Sequence, residues 1–185
     1  MAKWIIDPDH VSAGFSVHHM MVTIVHGLFT KVGGTIFFDP AQPAATAVEI
    51  EVDLKSIHTG VKRRDAHLLS SDFLDVEKYP TMFFKSTSTE VVGMNVLKVS
   101  GDLTIHGIKR QVVFDVTYQG PSHFVDEEEN KAYTTYGINA VSCINREDFG
   151  MTWNLDIEDG GFMVGKCIDI TFSAELDLVE GNQSE

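Results

Sequence analysis

Eight histidines, two cysteines and the block Arg64-Asp65-Ala66-His67 are the parts of this sequence whose side chains could do chemistry near neutral pH. Imidazole is the commonest metal ligand and a ready general base, so the spacing of the histidines decides what they can hold. His18 and His19 are adjacent. Neighbours on a strand point to opposite faces, so these two cannot share one ion without a bulge. His10, His26, His58, His67, His106 and His123 stand apart, and hydrogen bonds inside or beside the fold are their expected use. No metal ligand is assigned on this basis. Asp65 and His67 pair an acid with a base, but no nucleophile stands in a recognisable context, and the chain has no GxSxG elbow, HExxH helix or Gly-rich phosphate loop. Ion pairing and helix capping are their expected roles, and no catalytic residue is assigned. Cys143 and Cys167 lie far apart without a CxxC or metal-ligand spacing, which predicts two reduced thiols and no disulfide.

The elements that position these residues read as strands. Apolar residues recur at every second position, the pattern of a strand with one buried and one wet face. Val11, Ala13, Phe15, Val17 and His19 share one face of a first strand. Val48, Ile50, Val52 and Leu54 alternate with Glu49, Glu51, Asp53 and Lys55. The pattern returns at Leu97 to Ile105, at Val112 to Tyr118, at Ile138 to Ile144 and, most cleanly, at Ile168 to Leu178. With 25–29, 35–38 and 82–86 this makes about eight or nine strands, separated by turn signals such as Val32-Gly33-Gly34 and Asp159-Gly160-Gly161. Many short strands without alternating helices predict an all-β sandwich or barrel. The stretch from Lys62 to Pro80 breaks the rhythm and predicts one or two short helices over a barrel end, with Asp65 capping a first turn and Ser71 or Asp72 a second. Leu68, Leu69, Phe73 and Leu74 are too apolar for an idle loop and are expected to form a movable cover. Asp126 to Asn130 reads as an exposed hairpin loop and 181–185 as a flexible tail, leaving 1–180 as one domain.

Composition narrows the function. A chain of 185 residues, 43% hydrophobic and 10% aromatic, can bury one substantial core. A formal net charge of −13 argues against capture of nucleic acid or of an anionic membrane surface, both of which need a basic footprint. No apolar run approaches the roughly 18 to 20 residues of a membrane span, so an integral membrane protein is not expected. The start, Met1 to Pro8, lacks the apolar core and cleavage site of a secretory signal, which predicts a cytoplasmic chain, although a processed form would look the same.

An ordered set of motifs goes further. Trp4-Ile5-Ile6-Asp7 is followed by His10, then by Phe15-Ser16-Val17 with His19, Gly27-Leu28-Phe29, and Arg64-Asp65-Ala66-His67-Leu68 with Ser71-Asp72-Phe73. Tyr79 to Phe84, Gly101 to Gly107, Ile144 to Gly150 and Val164-Gly165 complete the series. In these the chain resembles the YceI-like polyisoprenoid-binding family from Trp4 to about Leu178. The resemblance implies an extended, lipocalin-like antiparallel barrel of eight strands with an apolar tunnel for a polyisoprenoid chain or a quinone tail. It departs where Val11 replaces a usual serine and where His18 and His26 stand in place of frequent arginines. Many relatives are exported, so the compartment does not carry over.

Small inward residues beside large ones decide whether such a barrel is hollow or filled by interlocking side chains. The residues expected to line a tunnel are Ala13, Phe15, Val17, His19, Phe29, Phe38, Phe84, Leu103, Ile105, Phe114, Ile138, Ala140, Ser142, Ile170, Phe172 and Ala174, with Leu68, Leu69 and Phe73 from the cover. Gly27 and Gly101 are further small inward positions. Arg146 and Asp148 are expected to hold a barrel end through ion pairs or backbone hydrogen bonds. The function this predicts is binding, sequestration or transport of an isoprenoid or similar long-chain amphiphilic lipid, with no cofactor, no catalysis and a possible homodimer. An enzyme acting on a hydrophobic substrate would instead draw on Asp65, His67, His106 or Arg146. A stress or assembly factor with an incidental cavity is the third reading.

Overall fold

The period-two segments form antiparallel strands that wrap into a ring. A computed structural model describes residues 2–126, 131–157 and 160–179. In chain order it has β1 (Ala2–His19), β2 (Thr23–Phe29), β3 (Val32–Phe38), β4 (Ala47–Asp53), β5 (Ile57–His58), α1 (Lys62–Leu69), β6 (Thr81–Gly93), β7 (Val96–Ile105), β8 (Ile108–Asp126), β9 (Lys131–Asn145) and β10 (Val164–Val179). From β6 to β10 each strand pairs with the next, and β10 closes the ring on β1 along most of its length, from Lys3 opposite Val179 to His19 opposite Val164. The other edge of β1 is shared. Its second half pairs with β2 and its start with β3, so β2 and β3 are one strand interrupted at Thr30-Lys31. Likewise β4 pairs with β3 and β5 with β2, across the 3-10 turn Leu54–Ser56. Counted this way the fold is a closed, eight-stranded antiparallel barrel with one α-helix among the described residues, the lipocalin-like architecture.

The structure corrects several local expectations. The first strand begins at Ala2, well before Val11, because a bulge joins two halves of opposite parity. Trp4 and Ile6 face inward before it, and Ala13 and Phe15 after it. Val32, Gly33 and Gly34 are not a turn. They lie in β3, where a Cβ on Gly34 would run into the Glu49 carbonyl of β4. Asp65 does not cap α1, whose N-cap is Val61; it sits in the first turn and accepts hydrogen bonds from the Thr59 amide (2.9 Å) and hydroxyl (2.5 Å). No second helix follows, and 71–74 form turns. Cys143 and Cys167 are not separate thiols but a disulfide, with Cα atoms 6.3 Å apart, because antiparallel β9 and β10 bring them to diagonal positions. Most of the charged loop after Asp126, and the tail 181–185, lie outside the described residues.

The core has two parts. One end of the barrel is plugged by rings: Tyr136 meets Trp4 at 5.1 Å and Phe38 at 5.3 Å, and Tyr118 meets Phe38 at 5.1 Å, all edge to face. Burial pushes the Tyr136 hydroxyl above its ordinary titration range. Ala174 and Leu176 pack into this plug. The other part runs toward α1 and includes Phe29, Leu54, Leu103, Phe114 and Phe149.

Candidate functional site

Between the ring plug and the α1 segment lies a cavity of about 220 Å³. Its walls are the inward positions of the strands, and its ends reach Ile36 and Phe38 on one side and Leu68, Phe73, Leu74, Met151 and Val164 on the other. The lining is apolar apart from Thr46, Thr171, the Tyr118 ring and Arg146. Such a surface offers mainly dispersion contact and release of ordered water.

The sequence placed most of this wall. Ala13, Phe15, Val17, Phe29, Phe38, Leu68, Phe73, Phe84, Leu103, Ile105, Phe114, Ile138, Ala140, Ile170 and Phe172 all line the cavity. Four expected residues do not. The strand register shifts between Val17 and His19, which takes His19 off the wall, and Leu69 packs against the core beside it. The Ser142 hydroxyl donates to the Val113 carbonyl at 2.8 Å, and Ala174 belongs to the ring plug. Small residues also proved less hollow than expected. A Cβ on Gly27 would collide with the Phe15 ring, and one on Gly101 with the Phe84 ring, so both glycines exist to seat a phenyl group. Val48, Ile50, Val52, Leu97 and Val99 line the wall too, and their alternation was already visible. Met151 and Val164 had no such signal, since 150–163 carries no strand periodicity.

Among the described residues Arg146 is the one charged side chain on the cavity wall, and it is 2% exposed. Its guanidinium donates to three backbone carbonyls: Gly165 at 2.9 Å, Val164 at 3.3 Å and Met151. Burial lowers its pKa below the usual arginine value. Of the ion pairs or backbone hydrogen bonds expected of Arg146 and Asp148, Arg146 uses backbone hydrogen bonds; no ion pair joins the two residues, and Asp148 is exposed. The other residues an enzyme would need are occupied separately. Asp65 holds Thr59, His67 bonds Asp72 at 2.8 Å, and His106 meets the Phe149 carbonyl at 3.2 Å. None of those three lines the cavity.

Above the cavity end, α1 is anchored to the preceding loop. Arg64 donates to the Thr59 hydroxyl (2.8 Å) and carbonyl (2.7 Å), while Asp65 accepts from the same residue. The following turns bond among themselves, with Leu74 N–H on the Leu68 carbonyl and Val76 N–H on that of Leu69. Phe73, His67 and Trp153 form a three-ring cluster with centroids 4.7 to 5.3 Å apart.

Comparison with known proteins agrees with this architecture. The model of the YceI-like domain matches residues 4–176. A UPF0312 protein of Pseudomonas savastanoi is 35% identical over 154 residues, covering 81% of this chain and 77% of its own. Among solved structures, Burkholderia cenocepacia BcnA superposes with a TM-score of 0.77 at 23% identity, covering 92% of this chain and 98% of its own. A polyisoprenoid binding domain from Saccharophagus degradans has a TM-score of 0.69 at 13% identity, covering 97% and 99%. With a family match spanning nearly the whole barrel, the chain belongs to the YceI-like domain family.

Proposed function

We infer that this barrel binds a long apolar chain, a polyisoprenoid or the tail of an isoprenoid quinone, and sequesters or carries it without chemical change. The observation that carries this reading is the cavity itself: an apolar wall whose one charge among the described residues is spent on backbone carbonyls. Burying apolar ligand surface there gains roughly 25 cal/mol per Å², and needs no catalyst. The polyisoprenoid binding domain of Saccharophagus degradans, built on the same fold, supports the choice of ligand.

Size adds a condition. An empty apolar cavity of about 150 Å³ takes a benzene ring, so 220 Å³ takes only a short stretch of prenyl chain. A longer ligand requires side chains to rearrange or the Lys62 to Pro80 cover to shift. The test is organic extraction of purified protein followed by mass spectrometry. A stoichiometric long-chain isoprenoid is the expected result. Protein that carries no lipid and takes up no added prenyl chain would overturn the reading, and turnover of a hydrophobic substrate would replace it with the enzyme.

A further inference from the structure

Midway along β1 the strand stops matching its neighbour. Ile6 pairs with Leu176 and Val11 with Ala174, so the four residues Asp7-Pro8-Asp9-His10 stand opposite the single residue Glu175. A bulge re-aims side chains, and this one turns Asp7 and His10 toward the Glu175 carboxylate. His10 Nδ1 lies 2.7 Å from Asp7 Oδ2 and 3.8 Å from Glu175 Oε2, and the three ligand atoms all fall within 4.8 Å of one another. The other Asp7 oxygen is tied down by the Asp9 amide at 2.8 Å, which fixes the carboxylate in place.

We propose that Asp7, His10 and Glu175 form a binding site for a divalent transition cation of the zinc class, clipping the first strand of the barrel to the last. One imidazole and two carboxylates are a known donor set for such ions. Zinc bonds of about 2.0 to 2.1 Å at tetrahedral angles put ligand atoms about 3.3 Å apart. The distances of 2.7 and 3.8 Å bracket that spacing, so adjustment of two exposed side chains suffices. Water completes the sphere. The donors come from opposite ends of the chain, and a cross-link closing so long a loop removes the most freedom from the unfolded chain. Cys143, Cys167 and Asp169 make the other candidate cluster, but there the sulfurs are joined to each other and offer no thiolate.

The test uses the whole, disulfide-intact protein freed of metal with chelator. Zinc chloride is titrated calorimetrically, cobalt(II) is added to read ligand-field absorption, and melting temperature is followed with and without zinc. The expected result is one ion per chain, a tetrahedral-type cobalt spectrum, and a melting temperature several degrees higher with zinc. His10→Ala and Glu175→Gln should each weaken zinc binding at least tenfold while leaving the metal-free protein folded. No zinc binding at 100-fold excess, or binding of equal strength in both variants, would overturn the assignment.

Discussion

Arg146 shows how one side chain can set a barrel end without an ion pair. It donates to three carbonyls of the chain around Met151 and Val164, of which the Val164 oxygen also accepts from the Asn154 side-chain amide at 2.8 Å. Replacing it with Met keeps apolar bulk but strands the Gly165 and Met151 oxygens. At about 1 to 3 kcal/mol per orphaned buried group, the variant should melt about 5 °C lower or more, at roughly 2 to 4 °C per kcal/mol for this size. An unchanged melting curve for the ligand-free variant would mean the guanidinium serves the ligand instead. Two alanines give a paired experiment. Ala140 lines the cavity, whereas Ala174 is packed among plug residues. Ala140→Trp should therefore fill the void and abolish lipid uptake in a folded barrel. Ala174→Trp should overpack the plug, costing about 1 to 3 kcal/mol, and leave the cavity open. Undiminished lipid in folded Ala140→Trp would misplace the site.

At the scale of elements, β10 and β1 differ in what their sequences disclose. Ile168 to Leu178 alternates without a break, and the strand keeps one register with β9 from Cys167 to Asp177. β1 reverses parity at Asp7-Pro8-Asp9-His10, and a proline among polar residues looks like a turn; only pairing with β10 makes it a bulge. The same logic hid the disulfide, which depends on the register of β9 with β10 and not on any local spacing. Gly33-Gly34 misled in the opposite direction, since close backbone approach needs glycine as much as a turn does. The cover was legible from Leu68 and Phe73, but its fastening to Thr59 was not. That fastening makes it testable as a gate, because elements that open for ligands are held by few bonds. Asp65→Asn weakens the hold on the Thr59 amide and hydroxyl while leaving the apolar face of α1 intact. Lipid exchange measured with a fluorescent prenyl analogue should then quicken severalfold. Equal exchange rates in variant and parent would place the entrance elsewhere.

For the whole molecule, ligand and stability are linked. A lipid present at 100 times its dissociation constant stabilises the folded state by about 2.7 kcal/mol, so loaded protein should melt about 5 to 10 °C above extracted protein. Identical melting temperatures would show that the extracted lipid was not bound specifically to the folded barrel. Binding also depends on a closed wall, and the wall closes through β1 and β10, where Lys3 pairs with Val179. That seam has a meaning for synthesis. Within the barrel β1 must wait for β10, with β2 to its side but its other edge bare until all the intervening strands have emerged. Contacts this distant in sequence form slowly, and an unpaired strand edge invites other chains while it waits. The nascent barrel is therefore most exposed to aggregation while β10 is still awaited, and a permuted chain in which β10 leads directly into β1 should need less chaperone help to reach the same barrel.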